Sequence, residues 1–111
     1  MTIERGTTQE VKITIKGWDL TNCDIYVTFK QGTKTITKKS MNSVVFADNR
    51  TKITVTLSQQ ETLSFQDKKS GLIQVRWVDA AGAAHKTKTA QFEVDELLYE
   101  AVLTKEADDN G

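Results

Sequence analysis

The feature that most constrains this chain is a period-2 alternation of apolar and polar residues, recurring in short segments separated by turn formers. In Leu72-Ile73-Gln74-Val75-Arg76-Trp77-Val78, the residues Ile73, Val75 and Trp77 fall on one side and Gln74 and Arg76 on the other, because successive side chains of a strand point to opposite faces. The strand leads to a turn at Ala80-Ala81-Gly82 and a return through His85, with Ala90, Phe92 and Val94 as its apolar end. A face of that kind must leave water, so the hairpin from Gly71 to Val94 is expected to be scaffold, with Trp77 the largest core residue it supplies.

The same alternation appears in Val11/Ile13/Ile15, Ile25/Val27/Phe29 and Ile53/Val55/Leu57, each the pattern of a half-buried strand. Thr2 to Arg5 reads as a short first strand, and Ser43-Val44-Val45-Phe46 as a strand paired with the one that follows Asp48-Asn49-Arg50. Turn formers collect at Gly17 to Asn22 and at Gln31-Gly32-Thr33. Lys34 to Lys38 keeps only Ile36 apolar, so it is expected at a sheet edge. There Lys30, Lys34, Lys38 and Lys39 would discourage sheet-to-sheet association. The one helix-start signal is Ser58-Gln59-Gln60-Glu61, a capping box, after which Leu63 and Phe65 are expected to plug a short turn onto the core.

Short alternating segments, tight turns and almost no helix predict an all-β fold: an immunoglobulin-like antiparallel β-sandwich with one short helical turn. A partly open small β-barrel satisfies the same alternation. With 111 residues there is room for one core, so 1–104 is expected to be a single domain and 105–111 a flexible charged tail. The absence of proline removes prolyl isomerisation as a slow folding step. The start at Met1 suggests a complete small gene product.

Charge and composition exclude several classes. Fifteen basic residues balance 15 acidic ones, which removes the general attraction for polyanions on which nucleic-acid binders rely. No run of about 18 apolar residues is present, and the amino terminus has no apolar leader. The single cysteine, Cys23, has no disulfide partner in the chain and fits a reducing compartment. No membrane or nucleic-acid partner is therefore expected, and synthesis is placed in the cytoplasm.

No chemistry-bearing constellation emerges. His85, the only histidine, has no partners at metal or acid-base spacing and reads as a solvated strand residue. Cys23 reads as a structural, half-buried thiol. The adjacent carboxylates Asp95-Glu96 and Asp108-Asp109 lack the spacing of a calcium loop, and Asn49-Arg50-Thr51 matches a glycosylation sequon without an export signal. Glycines stand singly at turns and offer no phosphate cradle. The expectation is no catalytic, cofactor or metal site, and no enzyme. The one candidate for partner binding is an acidic stretch carrying Leu97, Leu98, Tyr99, Val102 and Leu103. As a strand or a helix it either completes its own sandwich or docks on another subunit.

The stretches Asp19-Leu20-Thr21-Asn22-Cys23-Asp24-Ile25-Tyr26-Val27-Thr28-Phe29-Lys30-Gln31-Gly32 and Gly71-Leu72-Ile73-Gln74-Val75-Arg76-Trp77-Val78-Asp79-Ala80-Ala81-Gly82 resemble small proteins encoded in phage and prophage structural gene clusters of Firmicutes. The first also looks like the amino-terminal β-sandwich domain of phage baseplate upper proteins, without the long extension that follows that domain. The resemblance implies a non-enzymatic virion structural or assembly protein, tail or baseplate associated. It would act through contacts with other phage structural proteins or with itself. The alternative function is an immunoglobulin-like binding module for a host-surface carbohydrate or protein, with Trp18 or Tyr26 as an exposed aromatic platform.

Overall fold

The computed structural model describes residues 1–39, 44–47 and 52–105, the backbone alone for 44–47. Ser43, the Asn49-Arg50-Thr51 sequon, the Asp108-Asp109 pair and positions 106–111 of the expected tail lie outside the described residues. In chain order the elements are β1 (Thr2–Ile3), β2 (Gln9–Thr14), β3 (Asp24–Gln31), β4 (Lys34–Lys39), β5 (Val44–Ala47), β6 (Lys52–Leu57), α1 (Gln59–Leu63), β7 (Gly71–Val78), β8 (Ala84–Lys86) and β9 (Ala90–Val94). The all-β expectation holds.

The strands form two open sheets and no closed barrel among the described residues. One has the order β1-β9-β7-β3-β4 with β8 also on β7, and the other is β2-β6-β5. β1 runs parallel to β9, and the remaining pairings are antiparallel. The alternation fixes which face each strand buries. Ile25 pairs with Trp77, Val27 with Val75 and Phe29 with Ile73, while Val11 pairs with Val55 and Ile13 with Ile53. The apolar members of both sheets join one core cluster, so the sheets seal each other's buried faces. Phe92 packs edge-on against Phe65 at 5.3 Å and Phe29 at 6.2 Å between ring centroids.

Several local outcomes differ from expectation. The return strand of the hairpin is not continuous: β8 pairs with Arg76 to Val78 and β9 with Gly71 to Ile73. Thr87 fills the break. Its N–H donates to the Val75 carbonyl at 2.9 Å, its hydroxyl accepts from the Val75 N–H at 3.1 Å, and its carbonyl accepts from the Gln74 amide at 2.9 Å. Ala90 is exposed rather than core. Leu20, inside a run of turn formers, is fully buried. Gln31 belongs to β3 rather than to the loop and is buried, its amide donating to the carbonyls of Gln66 (2.8 Å) and Lys69 (2.9 Å) and accepting from the Gln66 N–H at 2.7 Å.

The capping box forms: Ser58 Oγ accepts from the Glu61 N–H at 3.1 Å, and the Glu61 carboxylate accepts from the Ser58 N–H at 2.9 Å. Phe65 is buried as expected. Lys38 is not a free edge charge, because its ammonium meets the Glu61 carboxylate at 2.6 Å. No described helix is long and apolar enough to cross a membrane.

Candidate functional site

Beyond β9 the chain is neither strand nor helix through position 105, which resolves the strand-or-helix alternative against both. Sequence-distant polar groups pin it instead. Asp95 accepts from the Arg5 N–H at 2.9 Å and donates its own N–H to the Ile3 carbonyl at 3.2 Å. The Arg5 guanidinium, almost buried, pairs with the Glu100 carboxylate and donates to the Leu63 carbonyl at 3.1 Å. Lys68 meets Glu96 at 2.9 Å. Further along, the Gln59 amide bonds the Leu103 backbone twice, at 2.8 Å each way.

Of the five candidate residues, Leu97 is the one that turns inward. It lies over Gly6, where a Cβ would stand 2.6 Å from Leu97 Cδ2. Gly6 also sits at φ +79°, a conformation that costs a side chain its usual backbone preference. The other four candidates are presented to solvent, with relative exposures of 100% for Leu98, 70% for Tyr99, 49% for Val102 and 60% for Leu103. Leu97 is therefore an anchor, and Leu98, Tyr99, Val102 and Leu103 form the exposed set. Polar pins with apolar side chains outward suit contact with another macromolecular surface.

His85 and Cys23 are each engaged with other partners: His85 with Asp79, and the Cys23 thiol with the Thr21 carbonyl at 3.7 Å. Asp79 Oδ1 accepts from the N–H groups of Ala81 (3.0 Å) and Ala83 (2.9 Å), and Oδ2 meets His85 Nε2 at 2.9 Å. His85 is half-buried rather than solvated, lying against Trp18 at 4.3 Å and Trp77 at 5.6 Å between ring centroids. This is a brace for the β7–β8 turn. Hydrogen bonding from His85, followed by the Ala83 N–H, holds the Asp79 carboxyl below the ordinary aspartate range. Burial pushes the Cys23 thiol up, with Asp79, Asp19 and Asp24 adding to the shift, which disfavours the thiolate a nucleophile needs. Among the described residues no group of three or more His, Cys, Asp or Glu side chains is arranged to hold a metal ion.

Trp18 spends its ring on this brace, standing edge-on to Trp77 at 5.3 Å. Of the two expected aromatic platforms, that leaves Tyr26, half-buried on the outward face of β3 with the Lys39 ammonium 5.9 Å from its ring centroid. No family model matches the chain, and no curated protein matches it.

Arg5, Gln59 and Asp79 carry the geometry of these regions, and the apolar-polar alternation singles out none of them. Arg5 reaches partners 58 and 95 positions away, beyond any local periodicity. Only Asp79 had a short-range cue, as an Asx residue ahead of Ala-Ala-Gly.

Proposed function

We propose that this chain is a non-enzymatic structural or assembly protein of a phage or prophage particle, associated with the tail or baseplate, working through protein-protein contacts. The observation that carries this reading is the C-terminal segment, whose backbone is pinned while Leu98, Tyr99, Val102 and Leu103 face solvent. Burying a Leu or Val side chain that is otherwise exposed is worth roughly 1.5–3 kcal/mol, so a partner that covers this set gains substantially at little ordering cost. The resemblance of the Asp19–Gly32 and Gly71–Gly82 stretches to phage structural-cluster proteins supports the setting.

An order of β2-β6-β5 facing β9-β7-β3-β4 parallels the B-E-D and G-F-C-C′ sheets of an immunoglobulin variable-type sandwich, and supports an immunoglobulin-like module. The inter-sheet disulfide of antibody domains has no counterpart in a chain with one cysteine.

Size-exclusion chromatography with light scattering, and pull-down of the proteins encoded by flanking genes, test the proposal. The wild-type chain should self-associate or capture a structural protein, and Leu98→Asp/Tyr99→Asp should lose that capture while keeping its fold. A wild-type protein that stays strictly monomeric at high concentration and captures none of the flanking gene products overturns it.

A further inference from the structure

We propose that the outward face of β3, β7 and β8, beside β4, is a separate binding site for an acidic saccharide, with a sugar ring seated on Tyr26 and its anionic group held by Arg76 and Lys86. Strand register brings the residues together. Tyr26 is opposite both Lys39 and Arg76, and Arg76 is opposite Lys86, so Lys39, Tyr26, Arg76 and Lys86 form one row across four strands. Side chains directly opposite in such a row have Cβ atoms about 4.5–5.5 Å apart. In the neighbouring row the hydroxyls of Thr28 and Thr37 lie 3.1 Å apart. Tyr26, Thr28, Thr37, Arg76 and Val78 bound a shallow depression of about 390 Å³, within the size of small-molecule sites, roughly 300–1,000 Å³.

Edge protection explains lysines on β4 but not this row. Arg76 lies on a strand paired on both sides, with β3 at one edge and β8 at the other. Placing Arg76 directly opposite Lys86 puts like charges in register, which destabilises a sheet. Among the described residues, Arg5, Lys38 and Lys68 each meet a carboxylate, whereas Lys39, Arg76 and Lys86 meet none. In a chain of zero formal charge, an uncompensated row of cations on one face selects an anion. Two acidic residues share this face: Asp24, opposite Val78 in the row next to Tyr26 and Arg76, and Glu93, opposite Thr2 on β9; among the described residues neither forms an ion pair with a cation of the row.

The remaining groups narrow the ligand. A guanidinium presents a planar fork that matches a carboxylate or phosphate bidentately, and the threonine hydroxyls both donate and accept as sugar hydroxyls require. A single aromatic ring offers one stacking platform, while a single-stranded nucleic acid needs several for successive bases. A saccharide carrying a carboxylate or phosphate matches ring, hydroxyls and cations together.

The test is titration of the full chain, by calorimetry and by amide chemical shifts, with a uronic-acid oligosaccharide, a sugar-phosphate oligomer, a neutral oligosaccharide of equal length and a single-stranded oligonucleotide. Binding of either acidic saccharide is expected at least about tenfold tighter than the neutral one, with shifts confined to β3, β4, β7 and β8. Which of the two binds identifies the anionic group. Arg76→Gln and Tyr26→Ala should each weaken it about tenfold or more, with melting temperature and tryptophan emission reporting an intact fold, and Lys34→Gln should leave it unchanged. Lys86→Glu should raise the melting temperature by removing the like-charge pair and weaken binding at once. Equal binding of the neutral oligosaccharide, tighter binding of the oligonucleotide, no binding of either acidic saccharide at millimolar concentration, or an unaffected Arg76→Gln overturns the site.

Discussion

Gly71→Ala adds one methyl group against the buried ring of Phe92, where a Cβ has no room. Gly71 opens β7 directly opposite Phe92, and a Cβ there would stand 2.2 Å from Phe92 Cζ, 2.6 Å from Cε2 and 2.7 Å from the Lys30 carbonyl oxygen. Non-bonded carbons are at their optimum about 3.5–4.0 Å apart, so the ring would have to retreat by more than about 1 Å. It has nowhere to go: Phe92 is 0% exposed and wedged against Phe65 and Phe29, and the Lys30 oxygen is backbone of β3.

Gly71 is not at a positive φ, so alanine meets no backbone objection and on chain entropy alone would stabilise by about 0.4–1 kcal/mol. Sterics reverse the sign. Overpacking costs about 1–3 kcal/mol, and with both a ring and a carbonyl resisting, the upper part of that range applies: about 2–3 kcal/mol, or a fall of about 10 °C in melting temperature. Urea denaturation followed by tryptophan emission should show a lower midpoint at unchanged slope. Phe92→Leu in the same chain should recover at least about 1 kcal/mol of the alanine penalty. An alanine variant as stable as wild type, or a double variant whose costs simply add, would refute the packing argument.

Trp77→Ala should cost about 3–5 kcal/mol, since Trp77 is 3% exposed and meets both Trp18 and His85. Its indole N–H has no hydrogen-bond partner among the described residues, so Trp77→Phe should cost less than half as much in the same denaturation assay, and an equal cost would point to a hydrogen bond. Arg5→Met should speed amide exchange across 96–103, leave β7 protected, and cost about 1–2 kcal/mol, because Glu100 is exposed enough to return to water while the Leu63 carbonyl loses a charged donor. Unchanged exchange there would mean that the other pins suffice. Asp79 has its carboxyl lowered in the folded state from an ordinary value of 3.8, so its contribution is present above that value and lost as pH falls through the folded one. The stability gap between wild type and Asp79→Asn should accordingly narrow in acid, and a constant gap from pH 6 to about pH 3 would exclude the linkage.

The strand pattern was legible to the residue in the middle of each segment, because a buried sheet face imposes alternation wherever it occurs. It failed where burial comes from outside the strand's own period. Leu20 is buried from a turn, Ala90 falls on the apolar side of β9 yet stays exposed, and Gln31 is buried because its amide finds three backbone partners. The break between β8 and β9 was likewise invisible, since Thr87 mends the ladder with a side chain that the sequence shows only as one polar residue among others.

For the candidate site, the sequence by itself determined that an acidic, apolar stretch follows the last strand, and that all-β packing, a capped helical turn and zero net charge accompany it. Tertiary structure decided the rest. Arg5, Lys68 and Gln59 reach the segment from remote positions and hold it as irregular chain, turning Leu97 inward over Gly6 and leaving four apolar neighbours outside. The Lys39, Tyr26, Arg76 and Lys86 row exists only because four strands come into register. Alternation is a local consequence of a two-residue repeat and can be read from neighbours. Which distant charge meets which carboxylate, and which cations are left facing one another, depends on chain segments joined only when the two sheets close on their common core.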